Sequence, residues 1–199
     1  TLHRRRLLQG AAVTALGALG AAAGVQHFDF KPAQRYPDPN VFILDPSFAK
    51  YRIYSSSIEQ LGSGMRWAEG PAYFPETGTL ILSDIPNNRL MKFEEKTGKF
   101  SVHKEGVNYA NGNTRDRQGR LVSCEHSVTR RVVRTEKNGS LTVLADKYEG
   151  KRLNSPNDLV YRSDGTLYFT DPPFGLPKFY DDPRKELPYS GVFALYKGQ

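Results

Sequence analysis

The chain has 199 residues, of which 38% are hydrophobic and 12% aromatic, so it can bury a core and is not a low-complexity segment. Its formal charge is +7, but the arginines at 4–6 supply three of those charges, and the other Lys and Arg residues are interspersed with Asp and Glu. Because no single face collects the positive charge, we expect no nucleic-acid binding.

Residues 1–26 are predicted to be an export signal. The arginines at 4–6 precede a stretch rich in Ala, Leu and Gly, and small residues at 21–23 suit signal peptidase. Adjacent arginines followed by Leu-Leu resemble a twin-arginine signal, which predicts a periplasmic or secreted protein. The alternative is an uncleaved membrane anchor, which would then be the protein's membrane contact.

A repeated pattern follows residues 27–66, which are predicted to be a Pro- and Asp-containing lead-in with the first strands. The segments "EGPAYFPETGTLILSDI", "NGNTRDRQGRLVSCEH" and "NDLVYRSDGTLYFTDP" each contain a polar opening, a turn glycine, a Leu two places later and an acidic residue six places later. The turn glycines Gly78, Gly119 and Gly165 are 41 and 46 residues apart. This period, with about four short strands in each repeat, is typical of β-propeller blades, whereas helical repeats would place apolar residues at every third and fourth position. Residues 67–199 are therefore predicted to be all-β and to form about three blades, with "EKTGKF" and "EKNGSL" as further hairpin turns.

The polar residues that open the first strand of each repeat define a candidate metal site. Glu69, Asn111 and Asn157 lie 9, 8 and 8 residues before their turn glycines. Because the first strand of a propeller blade lines the central channel, these three residues would lie at one level around one axis. One carboxylate and two amide carbonyls suit a hard divalent cation such as Ca²⁺, Mg²⁺ or Mn²⁺. Our first choice is Ca²⁺, with Mg²⁺, Mn²⁺ or Zn²⁺ as alternatives.

A purely structural explanation competes with the metal site. Asn and Asp often open strands because they bond to their own backbone, and "SPND" can form an Asx-type turn. That explanation is sufficient for Asn111 or Asn157 taken singly. It does not account for the shared register or for the carboxylate of Glu69, so we favour the metal site.

Three motifs carry a resemblance to a known family: "WAEGPAYFPETGTLILSDIPNNRL", "ANGNTRDRQGRLVSCEH" and "NSPNDLVYRSDGTLYFTDPPFG". In this order, over residues 60–199, they resemble the gluconolactonase branch of the regucalcin/gluconolactonase/luciferin-regenerating-enzyme family. The resemblance implies a six-bladed propeller with one essential divalent cation, acting on lactones or, in related members, on organophosphates. It also implies that Glu69 and Asn157 bind the metal and that Asn111 lies near metal and substrate.

Residues 1–199 lack one part of the family pattern. The remaining metal ligand and presumed catalytic base of the family is an Asp from a later blade. We therefore expect the main base to lie beyond residue 199, and we interpret the chain as the first half of a longer protein, inactive as a fragment.

The predicted function is metal-assisted hydrolysis of a sugar lactone such as gluconolactone, by a monomer or small homo-oligomer. A metal-dependent esterase or phosphotriesterase on the same propeller is one alternative. A non-catalytic propeller that binds a ligand on its face is another, because one fold hosts many functions.

Two further residues are secondary catalytic candidates. His126 could face the channel and transfer protons, or it could be a packed or surface histidine. Asp171 recurs in register with Asp84 and Glu125, and we interpret all three as hydrogen-bond acceptors that hold a blade together, with catalysis by Asp171 as the second option. Cys124 is the only cysteine, which excludes an intrachain disulfide, and it is predicted to be a small buried hydrophobe.

Overall fold

The computed structural model describes residues 36–196, so the predicted export signal at 1–26 lies outside the described residues. The chain divides into two compact units, one ending at Gln60 and one beginning at Leu61. In the described part of the first unit, a 3-10 helix spans Pro46–Tyr51. No strand is present over residues 36–66, so the first strands predicted within the lead-in are not found there, and the first strand begins at Ala68. None of the helices within 36–196 has the length and hydropathy needed to cross a membrane.

The second unit is built from antiparallel sheets in which each strand pairs with the next along the chain. The first sheet contains β1 (Ala68–Phe74), β2 (Thr79–Asp84), β3 (Arg89–Glu94) and β4 (Lys99–Glu105). The second contains β5 (Asn113–Arg115), β6 (Leu121–Glu125), β7 (Arg131–Thr135) and β8 (Leu141–Ala145). A two-stranded ribbon of β9 (Lys147–Tyr148) and β10 (Lys151–Arg152) precedes the third sheet, which contains β11 (Leu159–Tyr161), β12 (Leu167–Asp171) and β13 (Gly191–Leu195).

Glycines close the hairpins where the repeat pattern predicts turns. Gly78, Gly119 and Gly165 join the first two strands of the three sheets, with φ of 60°, 73° and 93°. Gly98 and Gly139, in the "EKTGKF" and "EKNGSL" turns, have φ of 64° and 83°. A side chain disfavours these left-handed conformations, so glycine specifies the turns. The predicted all-β repeats are confirmed.

The core lies between successive sheets. Val122, Cys124 and Val132 of the second sheet pack with Leu167 and Phe169 of the third in one buried cluster. Cys124 is fully buried, as predicted, and burial raises the pKa of its thiol well above the usual value. A second cluster, which includes Ile81, Leu90, Val107 and Ala110, connects the first sheet to the segment leading into β5.

The first strands of the three sheets adjoin one another, with β5 in contact with both β1 and β11. Three meandering sheets with neighbouring first strands form a propeller-like arrangement. This arrangement places the openings of β1, β5 and β11 side by side, and those openings carry the candidate residues.

Candidate functional site

Close backbone contacts bring the three predicted ligand residues into adjoining segments. The N–H of Gly112 donates a hydrogen bond to the carbonyl oxygen of Asn157 at 2.7 Å. On the other side, a Cβ added to Gly70 would lie 2.2 Å from the carbonyl oxygen of Asn111, so these two segments also touch. Glu69, Asn111 and Asn157 therefore stand on neighbouring segments, as their shared register predicts.

Each of these residues is anchored to the second strand of its own sheet. Glu69 pairs with Ser83, and the register between β1 and β2 shifts just after it. Such a bulge bends a strand and re-aims its side chains. The backbone N–H of Asn111 donates to the carbonyl of Cys124 at 2.9 Å, and that of Asn157 to the carbonyl of Thr170 at 2.8 Å. All three are thus held at the same end of their sheets.

Their side chains are not used in internal hydrogen bonding. Within residues 36–196, no hydrogen bond or ion pair involves the carboxylate of Glu69 or the side-chain amides of Asn111 and Asn157. Asn111 is nevertheless only 4% exposed. None of their side-chain atoms is among the fully buried polar atoms without a partner, and Glu69 and Asn157 are half-buried, so all three groups are open to solvent and free to take a ligand.

The chemistry of these groups fits a divalent cation. A carboxylate oxygen and two amide carbonyl oxygens are hard ligands of the kind that Ca²⁺ and Mg²⁺ take. Among the described residues, no three His, Cys, Asp or Glu side chains cluster as ligands. A cation at this position would therefore need amide oxygen beside the single carboxylate of Glu69, which Asn157 can supply, with Asn111 next to it.

Asn113, which the sequence did not single out, links two of the three segments. Its Nδ2 lies 2.9 Å from the carbonyl oxygen of Gly70, 2.8 Å from Ser83 Oγ and 3.1 Å from the carbonyl oxygen of Asn111. Its Oδ1 accepts from Ser123 Oγ at 2.7 Å, and the side chain is buried. The sequence signal for Asn113 is that a polar residue stands inside the first strand of a repeat, two places after Asn111.

The buried acidic residues that end the second strands accept hydrogen bonds from the segments that precede the first strands. Asp84 accepts from the backbone N–H of Arg66 at 3.0 Å and from Arg89 Nε at 2.9 Å. Glu125 accepts from Asn108 Nδ2 at 2.9 Å. These contacts agree with a role in holding the blades together.

Asp171 is bonded in the same way. Both of its carboxylate oxygens accept backbone N–H bonds, from Asn154 at 2.7 Å and from Ser155 at 2.8 Å. Burial raises the pKa of Asp171 to about 6, although the two N–H donors favour the ionised form. The carboxylate is therefore committed to the chain leading into Asn157, and its catalytic role stays a prediction.

His126 is a packed histidine. Its Nε2 is buried and has no hydrogen-bond partner among residues 36–196. Burial lowers the pKa of His126 to about 4, so the ring is neutral at pH 7. A Cβ added to Gly175 would lie 2.9 Å from His126 Cγ, so the segment between β12 and β13 lies against the ring. Proton transfer by His126 stays a prediction.

The segment between β12 and β13, residues 172–190, is attached beside Asn157. It contains two short 3-10 helices, Pro173–Gly175 and Phe179–Asp181. Ser155 Oγ donates to the carbonyl oxygen of Pro172 at 2.6 Å and accepts from the N–H of Gly175 at 2.8 Å. This segment therefore lies at the end of the sheet where the candidate site is located.

The repeated antiparallel sheets, with the sequence motifs at the openings of their first strands, define a propeller-like protein. The chain belongs to the family whose model is described as the SMP-30/Gluconolactonase/LRE-like region, which matches residues 67–195. The resemblance seen in the sequence motifs is thereby confirmed.

Two relatives indicate the branch. A gluconolactonase of Zymomonas mobilis is 33% identical over 153 residues, which are 71% of this chain and 43% of that protein. The solved structure of a gluconolactonase from Xanthomonas campestris is similar with a TM-score of 0.62 and 39% identity, over 68% of this chain and 46% of that one. The chain spans less than half the length of either relative.

Proposed function

We propose that the protein is a metal-dependent hydrolase that opens a sugar lactone such as gluconolactone. One observation carries the proposal: Glu69, Asn111 and Asn157 lie on adjoining segments, and their side chains make no hydrogen bond within residues 36–196. The similarity to gluconolactonases supports lactone as the substrate class. The proposal includes a six-bladed propeller for the whole protein, with the remaining ligand and the main base supplied from beyond residue 199.

Glu69 and Asn157 would hold the cation, with Ca²⁺ as the first candidate. When bound, a divalent cation polarises a carbonyl and stabilises negative charge that develops on its oxygen. The amide of Asn111 can donate a hydrogen bond to a substrate hydroxyl and orient the ring. In the overall reaction, water adds to the lactone carbonyl carbon, the ring C–O bond breaks, and the ring oxygen takes a proton to give the hydroxy acid.

As the general base, neither Asp171 nor His126 is preferred to a residue from beyond residue 199. Asp171 uses both carboxylate oxygens on backbone N–H groups, and Nε2 of His126 is buried. A general base must reach the water that it activates.

We also propose that residues 1–26 direct export to the periplasm or outside the cell. The basic start and the small residues at 21–23 support this localisation. Replacing the arginines at 4–6 with lysine should retain the precursor in the cytoplasm, because twin-arginine recognition requires arginine. Immunoblots of periplasmic and cytoplasmic fractions measure this, and unchanged export would contradict the twin-arginine route.

Calorimetric titration of the metal-free, full-length protein with Ca²⁺ tests the site. We expect one bound cation per chain in the wild type and loss of binding in Glu69→Gln and Asn157→Ala. Hydrolysis of glucono-1,5-lactone, followed in parallel, should disappear with the metal. Glu105→Gln is the matched control, because Glu105 is an exposed residue at the end of β4.

Other outcomes are informative. Cation binding without lactone hydrolysis would retain the site and point to another ester or a phosphotriester as substrate. No binding by the wild type would contradict the proposal and favour a non-catalytic, ligand-binding propeller.

A further inference from the structure

We propose that Gly70, Gly112 and Asn113 act together as a spacer that sets the separation of the candidate ligands and, with it, the size of the cation accepted. The inference rests on the proposed cation site. It assigns positioning roles to residues that do not themselves contact the ion.

Gly70 allows the first segment to approach the second. A Cβ at this position would lie 2.2 Å from the carbonyl oxygen of Asn111 and 2.9 Å from the backbone nitrogen of Asn113. Atoms in ordinary contact are roughly 3.5–4 Å apart, so a side chain here would push the two segments away from each other. Gly70 also has φ of 60°, which independently favours glycine.

Gly112 allows the second segment to approach the third. A Cβ here would lie 2.5 Å from the carbonyl oxygen of Asn157 and 2.7 Å from Asp158 Oδ1. Unlike Gly70, Gly112 has no positive φ, so only the space available requires glycine. A substitution at Gly112 therefore tests spacing without left-handed backbone strain.

Asn113 holds the first contact closed. Its Nδ2 donates across the sheets to the carbonyl oxygen of Gly70 at 2.9 Å, and it also lies 3.1 Å from the carbonyl oxygen of Asn111. The side chain is 5% exposed, and such buried bonds are costly to lose. Two glycines permit the close approach, and one buried amide maintains it.

The consequence for the ion follows from coordination distances. Mg²⁺ requires ligand oxygens at about 2.0–2.1 Å in strict geometry, whereas Ca²⁺ accepts about 2.3–2.6 Å and tolerates irregularity. Relieving an overlap at Gly112 requires a displacement of roughly 1 Å, which exceeds this difference. A widened site should lose the smaller ion first.

The experiment compares Mg²⁺ and Ca²⁺ affinities of the full-length protein by calorimetry for the wild type, Gly70→Ala and Gly112→Ala. We expect both variants to lose about tenfold more affinity for Mg²⁺ than for Ca²⁺. Gly98→Ala is the matched control for Gly70, because Gly98 has φ of 64° with no atom within 4 Å of an added Cβ. Its affinity ratio should equal that of the wild type.

A purely structural role would lower both affinities equally and leave their ratio unchanged. That result, or unchanged affinities in Gly112→Ala, would overturn the inference. If circular dichroism shows that Gly112→Ala does not fold, Asn113→Leu replaces it as the test variant. Leucine is chosen because Leu159 holds the corresponding position in the third sheet. The same change in the ratio of Mg²⁺ to Ca²⁺ affinity is expected. Absence of any binding by the wild type would refute the proposed site itself, and is distinguishable from these outcomes.

Discussion

The backbone N–H of Gly112 and the carbonyl oxygen of Asn157 form a hydrogen bond of 2.7 Å. This bond is made by the main chain, so substitution of the side chain at Asn157 leaves it in place. The neighbouring Asn111 is likewise held through its backbone, by an N–H bond to Cys124 and by Ser83 Oγ, which donates to its carbonyl at 2.6 Å. Side chains at these positions can therefore be removed with the scaffold retained.

Asn111→Ala should raise KM for the lactone more than it lowers kcat, while Ca²⁺ affinity changes by less than about threefold. The reason is that its amide is assigned to the substrate, and a lost ground-state contact appears in KM. Steady-state kinetics and calorimetry measure the two effects. Asn138→Ala, in the exposed turn between β7 and β8, is the control, and abolished Ca²⁺ binding in Asn111→Ala would instead make Asn111 a ligand.

Asp84→Ala should lower the free energy of unfolding by about 3 kcal/mol, because it leaves buried donors unpaired. The carboxylate of Asp84 is fully buried and accepts from the N–H of Arg66 and from Arg89. Asp164→Ala should cost about 1 kcal/mol, since its ion pair with Arg162 is exposed and it accepts one backbone bond, from the N–H of Thr166. Urea unfolding followed by Trp67 fluorescence compares them, and similar losses would contradict the assignment of Asp84 as a blade-holding acceptor.

The buried ring of His126 should make the fold sensitive to acid. Its pKa is about 4 in the folded state and ordinarily near 6.5, so the folded protein binds fewer protons than the unfolded chain between these values. Stability present above pH 6.5 is then lost as the pH falls towards 4, by about 2 kcal/mol between pH 7 and pH 5. Urea midpoints at the two pH values should show this loss disappearing in His126→Gln.

Asp171 provides the opposing control. Its pKa is raised to about 6, so the folded state binds more protons than the unfolded chain. The contribution of Asp171 to the free energy of unfolding therefore rises on acidification, by about 1 kcal/mol between pH 7 and pH 5. Asp171→Asn should therefore show a steeper acid loss than the wild type, and His126→Gln a small acid gain. Parallel pH profiles in both variants would contradict the burial of these groups.

Ser155→Ala should loosen the segment 172–190. Its hydroxyl donates to the carbonyl of Pro172 and accepts from the N–H of Gly175, so its removal frees both groups at once. Limited trypsin digestion should then cut faster at Lys178, while Ser140→Ala, in a distant exposed turn, should leave the rate unchanged. Equal cleavage rates would show that other contacts hold the segment.

The strands and their turns could be predicted from the sequence because their causes are local. A glycine between two short apolar runs specifies a hairpin, and its recurrence specifies the repeat. The register of Glu69, Asn111 and Asn157 followed from counting back from those glycines. The bonding role of Asp84 was also predicted, since an acidic residue at the end of a buried strand needs donors nearby.

Asn113 and the spacing role of Gly112 could not be predicted in this way. A polar residue within a strand reveals neither its partner nor whether its hydrogen bonds are satisfied, and Gly70, whose carbonyl Asn113 binds, lies 43 residues earlier. Nor does a glycine outside a turn indicate which backbone it approaches. The burial of His126 could not be predicted either, because burial is a property of the packed chain.

The sequence by itself determined the all-β repeats, their turns and the common register of three polar residues, because these depend on backbone preferences over a few neighbouring residues. Only the tertiary structure decided which first strands adjoin, how closely Gly70 and Gly112 let them approach, and which polar side chains remain without partners. Those features depend on contacts between segments some forty residues apart, where packing and hydrogen bonding choose among partners that local propensity leaves equivalent.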